Sequence, residues 1–228
     1  MRPSPALAPI LAVFAVLAAL SAAPPASAQP GWLKFSSSEV SPPPAVSFSV
    51  RYPPGFVKDM GTGSLETPSA RDRIPDERRA DASAAIVQNF RLRDPENGRY
   101  VFMNIVTAVW SEEEKLLAKE KGFPALWESL ARGMAEAFDV TFDGARHFLH
   151  AGQQAADMHF SKESRTDSGK EYATLGSHRT VSKDDYGVTL SCYLTVQLAD
   201  AREGGYTSRD NPAAKDYCTP FFDSLTFE

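Results

Sequence analysis

Four segments with alternating apolar and polar residues follow one another in the second half of the chain, and they constrain the fold more than any other feature. This period of two is typical of β-strands with one buried face. The turns between them, 151–152, 166–169 and 183–187, are short, so the sequence predicts a meander of antiparallel neighbours. The four predicted strands are Arg146–His150, Gln153–Ser161, Glu171–Thr180 and Val188–Leu198.

The first half of the chain adds strands of the same kind. Residues 46–51 alternate in the same way, and the prolines of 52–55 end that strand. Residues 86–93 and 99–109 predict a β-hairpin, because an Asn-Gly pair between them tolerates positive φ. Val57–Ala85 lacks any apolar period and holds a mixed charge run. We expect a long loop there, either functional or disordered, and its composition favours disorder.

Helical spacing occurs between the hairpin and the meander. Ser111 and the three glutamates after it form a capping box, with acidic groups at the positive end of the helix dipole. The helix is expected to reach about Lys121, to break at Gly122 and to resume from Pro124 to Phe138. The residues predicted to form its buried face are Leu126, Leu130, Met134 and Ala137/Phe138.

The end of the chain provides the remaining elements. Ala199–Arg209 is interpreted as a polar loop, and Asn211-Pro212 predicts a final helix with an Asx cap and proline at its first position. The chain then closes on residues too apolar to be left in water, namely Phe221, Phe222, Leu225 and Phe227. This element order predicts an α+β fold, an antiparallel sheet flanked by helices in an α/β/α sandwich.

The N-terminus has the pattern of an export signal. Arg2 precedes an apolar run, and Ala26-Ser27-Ala28 is a small-x-small cleavage site, so we expect residues 1–28 to be removed. The remainder comprises a leader, 29–45, with a candidate strand at Trp32–Phe35, and one domain, 46–228. The apolar run is too short to cross a bilayer. We therefore predict a periplasmic or secreted protein without stable membrane insertion after cleavage.

Charge excludes one class of partner. Arg2 is the one charged residue of the signal, so 23 basic and 29 acidic residues remain, a net charge of −6. An acidic chain without a block of Lys and Arg offers no electrostatic footprint for nucleic acid. We therefore expect no nucleic-acid partner.

Two cysteines, Cys192 and Cys218, are the only ones in the chain. An oxidising compartment favours their pairing, and a bridge across this separation would contribute about 3 kcal/mol in the chain-entropy model. The spacing is not that of a dithiol redox catalyst. We predict a structural disulfide, with two free buried thiols as the alternative.

No catalytic motif is recognisable in the sequence. There is no G-x-S-x-G, and neighbouring Ser177 and His178 on a strand should point to opposite faces. His178 is expected to be exposed. Gly61-x-Gly63 lacks the third glycine of a dinucleotide fingerprint. Trp110 and Trp127 could line a pocket, although packing between sheet and helix is the simpler interpretation.

Metal binding has only a weak signal. His147 and His150 lie three apart, which places them on opposite faces of a strand. A cross-strand pair of either with His159 is geometrically feasible, but two histidines without a third placed ligand rarely make a site. We name these three residues as weak candidates and predict no catalytic residue, no cofactor and no committed metal site.

Both ends of the domain resemble a known superfamily. The stretch 48–56, a hydrophobic strand followed by Tyr-Pro and an aromatic residue, and the ending 221–227 are similar to the opening and closing patterns of PsbP-type photosystem proteins, Mog-type Ran release factors and bacterial DcrB-like periplasmic proteins. The resemblance covers about 32–228. It implies a non-enzymatic binding or assembly role and transfers no active-site residue. The insertion at 57–85 and the two cysteines depart from the pattern, so no partner can be carried over.

These observations lead to one functional prediction and one alternative. The prediction is an exported, non-enzymatic binding or accessory protein of the cell envelope, which acts through protein–protein contacts. The alternative is a small-ligand or metal carrier that uses a histidine cluster on the sheet.

Overall fold

A computed structural model describes residues 30–41, 43–59, 85–94 and 99–228. Ten strands occur in these ranges: β1 Leu33–Ser36, β2 Phe48–Tyr52, β3 Val57–Asp59, β4 Ala85–Asp94, β5 Arg99–Val109, β6 Thr141–His150, β7 Gln153–Arg165, β8 Glu171–Lys183, β9 Tyr186–Gln197 and β10 Thr226–Phe227. The helices are α1 Glu112–Lys121, α2 Phe123–Phe138, α3 Leu198–Glu203 and α4 Thr219–Asp223, with a 3₁₀ turn at Ser37–Glu39 and a π-helical turn at Ala214–Cys218.

Seven of the strands form one antiparallel sheet in the order β3-β4-β5-β9-β8-β7-β6. The run β6 to β9 is the predicted meander, and β4 with β5 is the predicted hairpin. A second sheet pairs β1 and β10 with the two sides of β2. The predicted α+β class is therefore confirmed. Strands β1 and β2 correspond to the strands predicted at Trp32–Phe35 and at 46–51, whereas their separation into a second sheet with β10 was not predicted.

One face of the large sheet is covered by α1 and α2, and we name it the helical face. Ser111 accepts from the Glu114 amide at 3.2 Å, and the Glu114 carboxylate accepts from the Ser111 amide at 2.7 Å, as the capping box predicts. Gly122 separates the two helices with φ +84°. The break predicted at this glycine is confirmed.

The buried stripe of α2 differs from the predicted one at its end. Leu126 is buried, but Phe138 is 44% exposed, because α2 ends there and Asp139 turns the chain into β6. The residues that fill the seam are Trp127 and Ala131, both fully buried against the sheet. Leu130 and Met134 of the predicted stripe are partly buried and pack in the same seam, so the stripe is confirmed there and widens by one position to Trp127 and Ala131.

The opposite face is covered by both ends of the chain, and we name it the terminal face. The second sheet, α3, the π-helical turn and α4 pack here around a large apolar cluster. Cys192 on β9 and Cys218 in the π-helical turn form a disulfide with a Cα–Cα distance of 5.4 Å. The predicted pairing is thus present in the structure.

Two predicted loops contain regular structure. Val57–Asp59, part of the predicted long loop, forms strand β3. It pairs with the side of β4 that faces away from β5. Leu198–Glu203, part of the predicted polar loop, is helix α3, because Leu198 and Ala201 are three residues apart and both bury against the sheet. The predicted final helix begins as expected, since the Asn211 side chain accepts from the Ala214 amide at 2.9 Å.

The export signal at 1–28, most of the loop at 57–85 and the turn of the hairpin lie outside the described residues. Within the described ranges, no helix is both long and apolar enough to cross a bilayer.

Candidate functional site

An open cleft lies at one end of the terminal face, between the strands and the segment that contains α3. It has a volume of about 780 Å³ and is lined by residues of 141–143, 161–163, 173–175 and 198–209. A volume of this size lies within the range of ligand-binding clefts. We name it the terminal cleft.

A β-bulge positions the acidic group of the cleft. The register of β6 on β7 shifts between Phe142 and Gly144, which leaves Asp143 as the extra residue. Bulges redirect side chains, and here the carboxylate turns toward the cleft. It accepts from the Ser161 hydroxyl at 3.1 Å and from the Ser208 hydroxyl at 2.7 Å. Both carboxylate oxygens therefore already have protein donors.

The same bulge provides the contact for a basic group. Arg209 donates from Nη2 to the Asp143 carbonyl at 2.9 Å. A Cβ at position 144 would collide with that guanidinium, and Gly144 also has φ +118°. Only glycine combines this backbone conformation with the close approach of Arg209.

A hydrogen-bonded chain leads from the cleft wall into the sheet. Ser177 donates to the Ser208 carbonyl at 3.0 Å, and its oxygen lies 3.0 Å from Nδ1 of His159. Since the single hydroxyl proton of Ser177 is used on Ser208, Nδ1 of His159 is the donor to Ser177. Burial, followed by the positive charge of Arg209, lowers the pKa of His159. The ring is therefore held neutral at physiological pH.

The other end of the cleft combines an apolar floor with an exposed ion pair. Ala173 and Leu175 on β8 and Leu198 and Ala201 on α3 form the floor, and all four are buried. At the rim, Arg202 lies 3.2 Å from Glu163, with both side chains more than 60% exposed. The cleft thus offers an apolar surface with polar groups at both ends, which is the composition of a binding surface.

A buried ion network fixes the strands further along the same face. Arg179 is 4% exposed and donates to both oxygens of Asp157, at 2.7 and 3.0 Å. A third donor reaches Asp223 on α4, and the Phe148 and Phe222 rings lie against the guanidinium plane. This network connects β7 and β8 to the C-terminal helix and is structural.

The three candidate histidines are not brought together. His147 is exposed on the helical face, whereas His150 lies on the terminal face and its Nε2 is 2.9 Å from the Leu225 carbonyl. His159 is in register with Gly144, not with either of them. The cross-strand pair is therefore wrong, because the register that continues from the 151–152 turn pairs His147 with Ala156 and His150 with Gln153. In the described part of the chain, no group of three or more His, Cys, Asp or Glu could hold a metal.

His178, expected to be exposed, is half-buried on the helical face within a second hydrogen-bonded group. Its Nε2 lies 2.7 Å from the Tyr193 hydroxyl and its Nδ1 lies 3.2 Å from Ser191. Burial lowers the pKa of His178 to about 4 and raises that of Tyr193 to about 12. The Tyr193 ring rests where a Cβ of residue 176 would be, which is why Gly176 stands there. Ser177 and His178 do point to opposite faces, as predicted.

The two tryptophans pack together between helix and sheet. Trp110 and Trp127 have ring centroids 5.5 Å apart in an edge-to-face arrangement, and both are buried. Trp110 also donates to Ser182 at 3.3 Å. Their place in the helical seam agrees with the simpler of the two interpretations.

No sequence pattern directly predicted the cleft. Its principal residues, Asp143, Ser208 and Arg209, come from a bulge and from a segment interpreted as a loop. One signal was available: Asp143-Gly144 interrupts the alternation at the start of β6, and a glycine inside a strand pattern often marks a bulge.

Solved structures with a similar fold include cyanobacterial PsbP (CyanoP) from Synechocystis sp. PCC 6803, at 8% identity and a TM-score of 0.45, over 92% of this chain and 99% of that one. The Ran-binding protein Mog1p of Saccharomyces cerevisiae is 9% identical with a TM-score of 0.45, over 86% of this chain and 94% of that one. LpqN of Mycobacterium tuberculosis, involved in cell envelope biogenesis, is 9% identical with a TM-score of 0.33, over 76% of this chain and 85% of that one. The likeness concerns the fold alone and, with TM-scores below 0.5, carries no argument about the function of this chain. A DcrB-like relationship is not confirmed.

No protein-family model matches the sequence, and a search of curated proteins gives no significant match.

Proposed function

We propose that this protein is an exported, non-enzymatic binding or accessory protein of the cell envelope, and that it holds a segment of a protein partner in the terminal cleft. The observation that carries the proposal is the cleft itself. Its volume of about 780 Å³, its apolar floor and its paired polar ends are suited to contact rather than to chemistry.

The pairing of the polar groups supports binding without turnover. Both oxygens of Asp143 accept from serine hydroxyls, which hold the carboxylate against the cleft wall. The Ser177 hydroxyl donates away from His159, so this pair lacks the polarity of a nucleophile activated by a base. These groups shape the cleft wall and fix its position.

Two further observations support export to the envelope. Residues 1–28 have the composition of a cleavable signal. The Cys192–Cys218 disulfide is of the kind that persists in oxidising compartments. Mog1p binds Ran and LpqN takes part in envelope biogenesis. Those roles belong to these two proteins, and the proposal for this chain rests on its own cleft.

The test is site-specific crosslinking in envelope extract of the source organism. A photo-crosslinking residue replaces Thr207, which is exposed on the cleft, or Ser129, which is exposed on α2. We expect a discrete adduct from position 207 and none from position 129. An identical pattern of adducts from both positions, or no adduct from position 207 at good labelling yield, would contradict the proposal.

A matched pair of charge reversals separates the cleft from the general surface. Glu163 and Glu128 each form an exposed ion pair with an arginine, at 3.2 and 2.7 Å, but only Glu163 lines the cleft. Glu163→Lys should reduce the yield of the position-207 adduct several-fold, and Glu128→Lys should leave it unchanged. Equal effects of the two substitutions would show that the cleft does not select the partner.

A further inference from the structure

Arg209 differs from the other cations that line the terminal cleft. Arg202 donates to both oxygens of Glu163, at 3.3 and 3.2 Å. Lys162 reaches away from the cleft to the Asp139 carboxylate at 3.4 Å. Arg209 forms no ion pair with any carboxylate in the described part of the chain, and Nη2 donates to a backbone carbonyl at 2.9 Å. Most of its fork of N–H donors is therefore available to a bound molecule.

The acidic groups of the cleft already have donors within the protein. The two oxygens of Asp143 accept from the Ser161 and Ser208 hydroxyls, at 3.1 and 2.7 Å. The Glu163 carboxylate lies against Arg202. The hydrogen-bonding capacity that the cleft leaves unused is thus that of a cationic donor. This imbalance favours a ligand with an anionic acceptor, because charge-assisted hydrogen bonds are the stronger ones.

The Arg209 guanidinium is also held in place before any ligand binds. It occupies the space that a Cβ of residue 144 would fill, and the carbonyl at the bulge fixes Nη2. An arginine held in this way loses less conformational freedom on binding than a free surface arginine. Burial and then the positive charge of Arg209 lower the pKa of His159, so this charge acts on the cleft wall.

We propose that the partner segment carries an acidic side chain, Asp or Glu, whose carboxylate binds Arg209 while a neighbouring aliphatic side chain packs on the cleft floor. Leu175 and Leu198 provide the largest apolar contacts of that floor. Arg209 is exposed at an open rim, so the segment passes across it and does not end there. The Arg202–Glu163 pair contacts another part of the segment. This inference rests on the proposed function, since it assigns the chemistry of the segment that the terminal cleft holds.

The first test selects binders from a random heptapeptide library on phage, in which every peptide is fused through its C-terminus and so has no free terminal carboxylate. The target is the immobilised mature protein. We expect Asp or Glu beside Leu, Ile or Val to be enriched several-fold over the unselected library. The enrichment should disappear with Arg209→Gln and persist with Arg51→Gln. Arg51 is a matched control, because it is exposed on β2 and likewise forms no ion pair within the described ranges.

Three results of this selection would overturn the proposal: no enrichment at all, enrichment of peptides without an acidic residue, or the same effect of both substitutions. Neutral peptides that still crosslink at position 207 would remove the carboxylate contact and leave the proposed function standing. The crosslinking in envelope extract tests that function separately.

The second test measures the affinity of one selected peptide, synthesised with an amidated C-terminus. Replacing its acidic residue by the corresponding amide should weaken binding to wild type by roughly tenfold and leave binding to Arg209→Gln within about twofold. A third peptide, in which a free C-terminal carboxylate is the only anion, should bind no better than the neutral one. Tight binding of this third peptide would assign Arg209 to a chain terminus and contradict the proposal.

His159 provides a spectroscopic readout from the cleft wall. A carboxylate on Arg209 should cancel part of the charge that lowers the pKa of His159, so NMR titration should give a higher pKa with the acidic peptide than without it. Asp157 and Arg146, which also act on this ring, are the same in both states. The neutral peptide should cause a smaller rise. An unchanged pKa of His159 in the saturated complex with the acidic peptide would overturn the proposal.

Discussion

The two faces of the large sheet are closed in different ways. The helical face is covered by α1 and α2, which are consecutive in sequence and pack through apolar side chains around Trp127. The terminal face is covered by elements from both ends of the chain, and it contains the disulfide, the Arg179 ion network and the cleft. One face is thus closed by local structure and the other by long-range links.

The difference shows where a binding surface is easily accommodated in this fold. A continuous amphipathic helix leaves little space over the strands it covers, as the fully buried Trp127 and Ala131 indicate. Short elements that converge from distant parts of the chain meet imperfectly, and the terminal cleft lies where α3 and the strand ends do not close against each other. The disulfide and the Arg179 ion network then hold these short elements against the sheet.

The largest effect is expected from the ion network. Arg179→Met removes two of the three donors to the buried Asp157, leaving Arg146, and should lower the free energy of unfolding by about 3–4 kcal/mol. Arg132→Met removes an exposed ion pair on α2 and should cost less than about 1 kcal/mol. Urea denaturation measures both changes. Similar losses in the two variants would contradict the assignment of Arg179 as a structural link of the terminal face.

The disulfide is the next largest contribution. Cys192 and Cys218 are 26 residues apart, and replacing both by alanine should cost about 3 kcal/mol through the freed unfolded chain. Both residues are buried, so the substitutions also cause a small loss of packing in addition to the loss of the disulfide. Thermal melts with and without reductant measure the effect. A wild-type melting temperature that ignores complete reduction, checked by mass, would refute the prediction.

Acid should weaken the protein through His178. Burial lowers its pKa to about 4, below its ordinary value of 6.5, so the unfolded chain binds a proton that the folded one rejects. Stability is therefore full above about pH 6.5 and falls as pH decreases toward 4, by up to about 1.4 kcal/mol per pH unit for one group. His178→Gln should flatten this slope in urea titrations at pH 7, 6 and 5.

His159 provides the comparison on the other face, because burial and Arg209 lower its pKa in the same direction. His159→Gln should flatten the slope as well, and the double variant more than either single one. A slope that neither substitution alters would place the acid sensitivity elsewhere.

The smallest effect is expected at the cap of α1. Ser111→Ala removes the acceptor for the Glu114 amide and should cost about 1 kcal/mol. Ser129→Ala on the exposed side of α2 serves as the control and should change stability little. Differential scanning calorimetry measures both changes. A Ser111→Ala variant with the stability of wild type would indicate that α1 contributes little to the helical face.

The elements specified by local patterns could be predicted from the sequence. The alternation in 153–161, the capping box at Ser111 and the break at Gly122 depend on neighbouring residues only, and the structure has each of them. The Cys192–Cys218 pair was also predictable, because the chain has no other cysteines and its N-terminal pattern predicts export.

The elements that depend on distant contacts could not be predicted. Helix α3 is too short to show an amphipathic period, and it forms because Leu198 and Ala201 find an apolar surface on the sheet. The cleft depends on a one-residue bulge, which shifts Asp143 toward Ser208, sixty-five residues later in the chain.

Native-state hydrogen exchange of the wild type and of the Cys192→Ala/Cys218→Ala variant tests the contrast between the faces most directly. Exchange by local opening reports the stability of each segment separately. Because long-range links fix the terminal face, amides of 214–223 should lose protection in the variant while those of 123–138 keep most of theirs. An equal loss in both segments, or none in 214–223, would contradict the account.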